Sequence, residues 1–494
     1  SGTSLADSSS NSNAGTLYNM TDTDWVVSGV GPVPESVDVA LHNLDDDTDV
    51  TVAVSSSDTG EATVNPATLT FTEENWNTAQ TVTVTGVNDA DTDGHQGYSI
   101  SLSAEDQETD NPEVTTLAGS GSTGSANGTG TSATFKNPNT ATIVGSNLYV
   151  ADSNNKKIRK IVISTGVVTN FAGSGASGST DATGTSATFN YPRGITSDGT
   201  NLYVTDNNNH KIRKIVISTG VVTTLAGSGA EGSADGTGTS ATFKNPNIAT
   251  IVGSYLYVAD GGNNKIRKIE TSTGVVTTLA GSGASGSTDG TGTSATFNMP
   301  QGITSDGTNL YVTDTSNHTI RKIVISTGVV TTLAGYAGYS GTTNATGTAA
   351  RFNNPRGITS DGTILYVADG YNHKIRKIVI STGVVTTLAG IGTQGFADGN
   401  GTSAKFSNPF GITTDGTILY VTEHGNHRIR KIALRETVTA DLSLHNLDDD
   451  TDITVAVSSS NTSEGTVSPS TLTFTEDNWN YPKTVTVTGV NDNS

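Results

Sequence analysis

The sequence predicts an all-β protein in which a six-bladed β-propeller lies between two smaller β-sandwich domains. Two repeats predict this architecture. A segment of about 54 residues occurs six times in the middle of the chain, and another unit occurs at residues 37–91 and again at 440–494. The composition agrees, because Gly, Ser, Thr and Asn dominate, only 15% of the 494 residues are charged, and long stretches of helical period are missing.

Residues 1–36 form a predicted N-terminal extension. Its segment at residues 15–30, "GTLYNMTDTDWVVSGV", has the residue types of a strand and has no counterpart before the second copy of the flanking unit. The residues expected to make its contacts are Leu17, Tyr18, Trp25, Val26 and Val27.

Residues 37–110 form the first predicted flanking domain. The segments "VDVALHNL", "DVTVAVSSS", "ATVNPATLTFT", "TAQTVTVTGV" and "YSISLSA" alternate apolar and polar residues, which is typical of an immunoglobulin-like sandwich. Within it, Asp89, Asp91 and Asp93 alternate before Gly94, as at the start of a calcium loop, although Ile100 stands where a bidentate Glu is expected. Calcium is therefore the one candidate cofactor, and a polar hairpin turn is the alternative.

Residues 111–435 form the predicted propeller. "LYVAD" or a close variant begins at Leu148, Leu202, Leu256, Leu310, Leu365 and Leu419, and each unit contains four strand-forming segments separated by turns. A "VTTLAG" segment precedes the first unit at residues 114–119, whereas the sixth unit ends without one. We therefore expect this N-terminal strand to complete the last blade and close the ring, which would remove exposed sheet edges.

Residues 436–494 form the second predicted flanking domain, which is incomplete. It stops at "TVTVTGVNDNS", where the first copy continues to the strand "YSISLSA". A sandwich without its last strand exposes a groove and unpaired backbone groups. We expect residues 15–30 of a neighbouring subunit to fill that groove, which would link chains head to tail into filaments. A chain cut from a longer array, or a short copy that is stable alone, would also explain the missing strand.

Two resemblances accompany these patterns. The segment "DNNNHKIRKIVISTGVVTTLAG" and its counterparts resemble the NHL repeat, with Asn-His pairs at Asn209-His210, Asn317-His318, Asn372-His373 and Asn426-His427. The flanking "LTFTEENWNTAQTVTVTGVNDADTDGHQGYSI" resembles immunoglobulin-like or Calx-β-like repeats of bacterial surface proteins. The first resemblance implies a propeller but no single function, because such propellers serve as enzymes, binders and scaffolds. The second implies stalk or adhesion modules at the cell surface.

Three sets of chemistry-bearing residues recur in the blades and are predicted to be structural. An acid precedes an Arg by seven residues in every unit, which suits a cross-strand ion pair. The four turn His residues lack a zinc spacing and are expected in solvated or capping turns, and one Phe per unit is expected to pack between blades. With no asymmetric catalytic set, the sequence predicts a protein that is not an enzyme.

Aromatic residues that interrupt the repeat are the remaining candidates for a site. Five of them are predicted to form an aromatic loop patch that binds a glycan or a protein, unless they reflect drift in tolerant loops: Tyr336, Tyr339, Tyr371, Phe396 and Phe410. No run of 18 apolar residues predicts a membrane span, and basic strands without interleaved aromatic residues argue against nucleic acid.

The charge is divided unevenly along the chain. Residues 114–435 hold 25 of the 26 Lys and Arg residues and 16 of the 47 acidic ones, so their net charge is +9, whereas the remainder has a net charge of −30. The function predicted first is an extracellular structural or adhesive protein that assembles with itself. A glycan-binding or protein-binding propeller module is the alternative, and a propeller lyase or hydrolase, such as a lyase with a metal in its channel, is a third possibility.

Overall fold

The computed structural model describes residues 112–434 without a break, together with parts of both flanking segments. The described flanking residues are 35–42, 50–56, 62–71, 78, 80–86, 100–104, 437–444, 453–456, 465–474 and 483–489. The predicted donor-strand residues Leu17, Tyr18, Trp25, Val26 and Val27, and the candidate calcium ligands Asp89, Asp91 and Asp93, lie outside these residues. Within the described ranges, no helix is long and apolar enough to cross a membrane.

The chain divides into two compact units. One is the segment Asp110–Leu434, and the other combines Ser1–Thr109 with Arg435–Ser494. The strands of the first flanking copy are β1 (Glu35–His42), β2 (Val50–Ser56), β3 (Ala62–Asn65), β4 (Thr68–Phe71), β5 (Gln80–Gly86) and β6 (Ile100–Ala104).

Residues 112–434 form a six-bladed β-propeller. Each blade is an antiparallel sheet of four long strands and one outer strand of two residues. The first strand in the chain is β7 (Glu113–Ala118). The first blade contains β8 (Gly128–Thr129), β9 (Pro138–Val144), β10 (Asn147–Asp152), β11 (Lys157–Val162) and β12 (Val167–Ala172). The second contains β13 (Ala182–Thr183), β14 (Pro192–Ser197), β15 (Asn201–Asp206), β16 (Lys211–Val216) and β17 (Val221–Ala226). The third contains β18 (Gly236–Thr237), β19 (Pro246–Val252), β20 (Tyr255–Asp260), β21 (Lys265–Glu270) and β22 (Val275–Ala280). The fourth contains β23 (Gly290–Thr291), β24 (Pro300–Ser305), β25 (Asn309–Asp314), β26 (Thr319–Val324) and β27 (Val329–Ala334). The fifth contains β28 (Ala345–Thr346), β29 (Pro355–Ser360), β30 (Ile364–Asp369), β31 (Lys374–Val379) and β32 (Val384–Ala389). The sixth contains β33 (Gly399–Asn400), β34 (Pro409–Thr414), β35 (Ile418–Glu423) and β36 (Arg428–Ala433).

Short 3-10 helices occupy two recurring places in the blades. One set follows each outer strand: Gly130–Ser132, Gly184–Ser186, Gly238–Ser240, Gly292–Ser294, Gly347–Ala349 and Gly401–Ser403. The other set lies in the turn between the second and third long strands of the first five blades: Ser153–Asn155, Asn207–Asn209, Gly261–Asn263, Thr315–Asn317 and Gly370–Asn372.

The sixth blade contains strands from both ends of the propeller segment. β7 pairs antiparallel with β36, with Ile429 opposite Ala118 and Lys431 opposite Thr115. It also pairs with the outer strand β33. The last blade thereby has the same number of strands as the others, and its outer long strand comes from the residues that precede the first blade.

The core of the propeller lies between the blades. In β10, Leu148, Tyr149, Val150 and Ala151 are all buried, because both faces of a blade pack against neighbouring blades. The Phe residue of each Gly-rich loop is fully buried in these layers, as predicted: Phe135, Phe189, Phe243, Phe297, Phe352 and Phe406.

The strands of the second flanking copy are β37 (Thr437–Leu444), β38 (Ile453–Ala456), β39 (Gly465–Ser468), β40 (Thr471–Phe474) and β41 (Lys483–Gly489). β1 pairs antiparallel with β37, with Val37 opposite Leu444, so that both copies share the six-stranded sheet β3-β5-β1-β37-β41-β39. β2 pairs with both β4 and β6, whereas within the described residues β38 pairs with β40 alone. β6 of the first copy contacts β38.

Candidate functional site

The candidate site lies at one mouth of the central channel of the propeller. The first long strand of each blade contacts its counterparts in both neighbouring blades, and β34 contacts β9 to complete the circle. These six strands therefore surround the channel. Each of them begins at a Pro, on the face of the ring where the loops between blades and the turns between second and third strands also lie.

The residue after that Pro is of four different types in the six blades, although the surrounding sequence repeats. We call these six positions the mouth ring: Asn139, Arg193, Asn247, Gln301, Arg356 and Phe410. Sequence reasoning did not identify this set. Its signal was present, because a position that varies within near-identical repeats is the place where the ring loses its symmetry.

Members of the mouth ring from four blades meet across the channel. The Nη2 atom of Arg193 donates a hydrogen bond of 3.0 Å to Oε1 of Gln301, two blades away. The guanidinium carbons of Arg193 and Arg356 lie 5.1 Å and 4.7 Å from the centroid of the same Phe410 ring. The Phe410 side chain therefore interacts with two cations.

Two further residues extend this cluster. The guanidinium carbon of Arg356 lies 5.1 Å from the ring centroid of Tyr371, whose side chain is 53% exposed. The His424 ring lies 5.6 Å from that of Phe410, and the Nδ2 atom of Asn137 donates to the His424 carbonyl at 3.0 Å.

The cluster is positively charged and partly shielded from water. Burial lowers the pKa of Arg193 to about 10, with Tyr191 acting in the opposite direction and the Arg356 charge in the same one. Burial also lowers the pKa of Arg356, which Tyr371 and Tyr191 partly offset. Burial and then the charges of Arg356 and Arg193 lower the pKa of His424 to about 4, so that its ring is neutral at neutral pH.

No carboxylate compensates the two mouth arginines in the part of the chain that the structure describes, because its ion pairs include neither Arg193 nor Arg356. Nor do its His, Asp and Glu residues form a group of three that could hold a metal ion. The amides of Asn139, Asn247 and Gln301 are buried, so what the mouth presents is two guanidinium groups beside aromatic rings.

The channel beneath the mouth is narrow and uncharged. It contains a cavity of about 80 Å³ lined by Thr, Ile, Ala and Gly residues of all six inner strands, including Thr142, Thr196 and Thr413. Pockets that enclose a small molecule usually measure about 300–1,000 Å³. A ligand at the mouth can therefore send only a small group or water into the channel.

The predicted acid–Arg pairs are confirmed as buried ion pairs within each blade. The distances are 2.9–3.0 Å in Asp152–Arg159, Asp206–Arg213, Asp260–Arg267, Asp314–Arg321, Asp369–Arg376 and Glu423–Arg430. Burial raises the pKa of Asp314 to about 6, while hydrogen bonds from Asn298 and Asn317 and the Arg321 charge lower it. These arginines are thus neutralised, unlike the pair at the mouth.

The four turn His residues link neighbouring blades. Each lies in the left-handed region, with φ between 52° and 60°, and its Nδ1 atom accepts a hydrogen bond of 3.1–3.2 Å from a backbone N–H of the next blade. The backbone N–H groups donate in the following pairs: Asn245 to His210, Asn354 to His318, Asn408 to His373, and Asn137 to His427. In the third blade, Oδ1 of Asn264 accepts the equivalent bond from Met299. The His residues therefore serve as acceptors between blades.

The structure separates the predicted aromatic loop patch into three places. Tyr336 and Tyr339 lie with ring centroids 5.1 Å apart, Phe396 lies under Arg428 at 3.4 Å, and Tyr371 belongs to the mouth. The placement of Phe410 on an exposed loop was wrong, because it lies in strand β34 and is only 1% exposed. Its ring packs beneath two guanidinium groups instead.

Comparisons with known proteins agree with this fold. The NHL repeat family matches residues 189–215 and 297–323, in the second and fourth blades. The chain is 31% identical over 313 residues to Protein SUPPRESSOR OF QUENCHING 1, chloroplastic, of Arabidopsis thaliana, covering 59% of this chain and 30% of that protein. It is 28% identical over 345 residues to human NHL repeat-containing protein 2, covering 62% and 47%. The chain thus spans less than half the length of either relative.

Among solved structures, an auxiliary nutrient binding protein from Bacteroides thetaiotaomicron is similar, with a TM-score of 0.51 and 18% identity, over 78% of this chain and 90% of that one. At this level of identity the similarity concerns the fold. The middle of the chain is therefore a six-bladed β-propeller that contains NHL repeats.

Proposed function

We propose that this chain is a non-enzymatic, extracellular binding protein whose propeller holds a ligand at the mouth ring. The observation that carries the proposal is the loss of symmetry at that ring. Six blades repeat their strands, ion pairs and buried Phe residues, yet the six equivalent mouth positions hold an aromatic residue, two arginines and three amides. The buried amides of Asn139 and Asn247 hydrogen-bond within the protein, so we place the ligand at Arg193 and Arg356, beside the rings of Phe410 and Tyr371.

The donor chemistry of the mouth favours binding over catalysis. The cluster has cations, amides and aromatic rings, while among the described residues it lacks a carboxylate near Arg193 and Arg356 to act as general base. His424 is neutral and beside two positive charges. The flanking copies, which resemble immunoglobulin-like surface modules, would hold the propeller at the cell surface. Metal analysis of purified protein tests the lyase alternative, which a stoichiometric transition metal and lyase turnover would favour.

A ligand screen tests the proposed site. Thermal-shift screening of the full chain against a panel of sugars, organic acids and peptides should find compounds whose stabilising effect disappears in Gln301→Ala and Tyr371→Ala. Tyr339→Ala changes an exposed aromatic residue of the predicted loop patch outside the mouth cluster, and it should leave binding unchanged. Loss of binding in Tyr339→Ala alone would move the site to the loop patch.

Self-assembly by strand addition is a second candidate function. The observation that favours it is the edge of β38, which pairs with β40 alone within the described residues, whereas its counterpart β2 pairs on both sides. An unpaired edge accepts a strand from another chain, and residues 15–30 are the proposed donor. Electron microscopy of the full chain should then show filaments, and a variant lacking residues 1–30 should be monomeric. Monomers in both samples would refute it, and the contact of β6 with β38 would then account for the edge.

A further inference from the structure

We infer that the mouth ring binds a carboxylate group, held by Arg193 and Arg356 together, on a ligand that packs a ring against Tyr371. This inference rests on the proposed function of the mouth as a ligand site and names the chemistry of that ligand. The two guanidinium carbons lie 5.1 Å and 4.7 Å from the centroid of one aromatic ring, that of Phe410, so both cations are close to the same side chain.

The arrangement of the two arginines is costly without an anion. Two like charges near each other and partly withdrawn from water repel, and each disfavours the charged form of the other. Elsewhere in the propeller, a buried Arg meets a carboxylate in every blade, as Arg213 meets Asp206 at 2.9 Å. The fully buried arginines are therefore neutralised, whereas within the described residues Arg193 and Arg356, like Arg351 and Arg428, have no ion pair with a carboxylate.

Hydrogen-bond donors remain available at the mouth. A guanidinium carries five N–H donors in a planar fork that matches the two oxygens of a carboxylate. Arg193 donates to Gln301 through Nη2. The Nε atoms of Arg193 and Arg356 are buried without a hydrogen-bond partner among the described residues, as are those of five of the six ion-paired arginines, so the terminal nitrogens are the donors proposed to meet an anion. Both guanidinium groups pack against the Phe410 ring, so part of their side-chain freedom is already lost before an anion binds.

The size of the channel limits how the ligand enters. A cavity of about 80 Å³ lies beneath the ring, so the carboxylate reaches the arginines while the rest of the molecule stays outside. There it meets Tyr371, whose ring is 53% exposed and 5.1 Å from the Arg356 guanidinium. An acidic sugar suits this geometry, because its carboxylate and the apolar face of its ring are adjacent. Residues 114–435 carry a net charge of +9, which favours an acid at the propeller, although the remainder of the chain carries −30.

Isothermal titration calorimetry of the full chain with trigalacturonic acid tests the inference, with its methyl ester and inorganic phosphate as comparison probes. The acid should bind, the ester should bind at least about tenfold more weakly, and added salt should weaken binding of the acid. Arg193→Gln and Arg356→Gln should each lower the affinity by about tenfold or more, since each removes a charged donor. Lys214→Gln, which removes one positive charge from strand β16, should change it less than about twofold.

Several outcomes would overturn the carboxylate inference: no binding of the acid, equal binding of acid and ester, tighter binding of phosphate, or unchanged affinity in both arginine variants. The comparison of acid and ester uses the wild-type chain, so it decides the question even if an arginine variant does not fold. If other compounds bind and lose affinity in Tyr371→Ala and Gln301→Ala, the mouth is the site and only the carboxylate is wrong. If no ligand responds to any mouth variant, the proposed function fails as well.

Discussion

Replacement of Asp206 by Ala should be among the most destabilising single changes in the propeller. The Arg213 side chain is fully buried and donates to Asp206 at 2.9 Å, and to the carbonyls of Thr188 and Thr180 at 3.0 Å each. Asp206 also accepts hydrogen bonds of 2.7 Å from the backbone of Asn190 and from the side chain of Asn209. The substitution therefore leaves a buried cation and two donors without this acceptor.

The magnitude follows from these contacts. Breaking a buried ion pair by removing one partner costs about 3–5 kcal/mol, and a buried donor without an acceptor costs about 1–3 kcal/mol. Asp181, which lies 2.7 Å from Arg213 and is 46% exposed, still offers a second carboxylate. Because these effects overlap, we expect a loss of about 5 kcal/mol in the free energy of unfolding, which is a large part of the 5–15 kcal/mol typical of folded domains.

The assay is urea unfolding followed by circular dichroism. The three Trp residues of the chain lie at positions 25, 76 and 479, outside the propeller, so Trp fluorescence would not report on the blades. Asp181→Ala is the matched control and should cost about 1 kcal/mol, as for an exposed ion pair. The repeats support a small cost for Asp181→Ala, because two blades have an uncharged residue at the position of Asp181: Asn127 beside Arg159 and Asn344 beside Arg376. Similar losses for Asp206→Ala and Asp181→Ala, or a loss below about 1 kcal/mol for Asp206→Ala, would refute the reasoning.

Three further predictions concern the links between blades. Lys156 stands in the first blade where other blades have the turn His, and its side chain cannot accept the bond between blades that Asn264 accepts from Met299 in the third blade. Lys156→Asn should therefore raise the free energy of unfolding by about 1 kcal/mol in the same assay. An unchanged or lower value would show that the bond adds nothing. The stability of wild-type protein relative to His373→Asn should fall as the pH drops below about 6.5. The reason is that burial lowers the pKa of His373 in the folded protein. The contribution of neutral His373 to stability is therefore present above its pKa in the unfolded chain and is lost as the pH falls through its pKa in the folded protein. A stability difference that does not change with pH would contradict this. Deletion of residues 112–118 should lower the melting temperature by more than 10 °C, because β36 loses its pairing with β7, and an unchanged melting temperature would show that β7 is dispensable.

Much of the propeller can be predicted from sequence because its repeats carry local information. The apolar run of β10 and the turns on both sides specify a strand, and the acid and Arg seven residues apart lie on paired strands in a register that brings them together. The same repetition explains why Phe135 and its counterparts are buried, since an equivalent position in every blade faces an equivalent layer.

The mouth ring could not be derived in the same way. Arg193 and Gln301 are 108 residues apart, and they meet only because six inner strands close around one axis. Phe410 was expected on an exposed loop because it is an aromatic residue that interrupts the repeat, yet the Pro before it begins the inner strand β34 and its ring packs against the arginines. The pairing of β1 with β37 depends on two segments about 400 residues apart, and no local pattern indicates it.

The most direct test of the binding site is a crystal structure of the full chain grown with trigalacturonic acid. We expect a carboxylate of the acid within hydrogen-bond distance of the guanidinium groups of Arg193 and Arg356, with a sugar ring packed on Tyr371. A carboxylate bound elsewhere, for instance beside Tyr336 and Tyr339, with the two mouth arginines left without it, would contradict the proposal that the channel mouth is where this propeller binds its ligand.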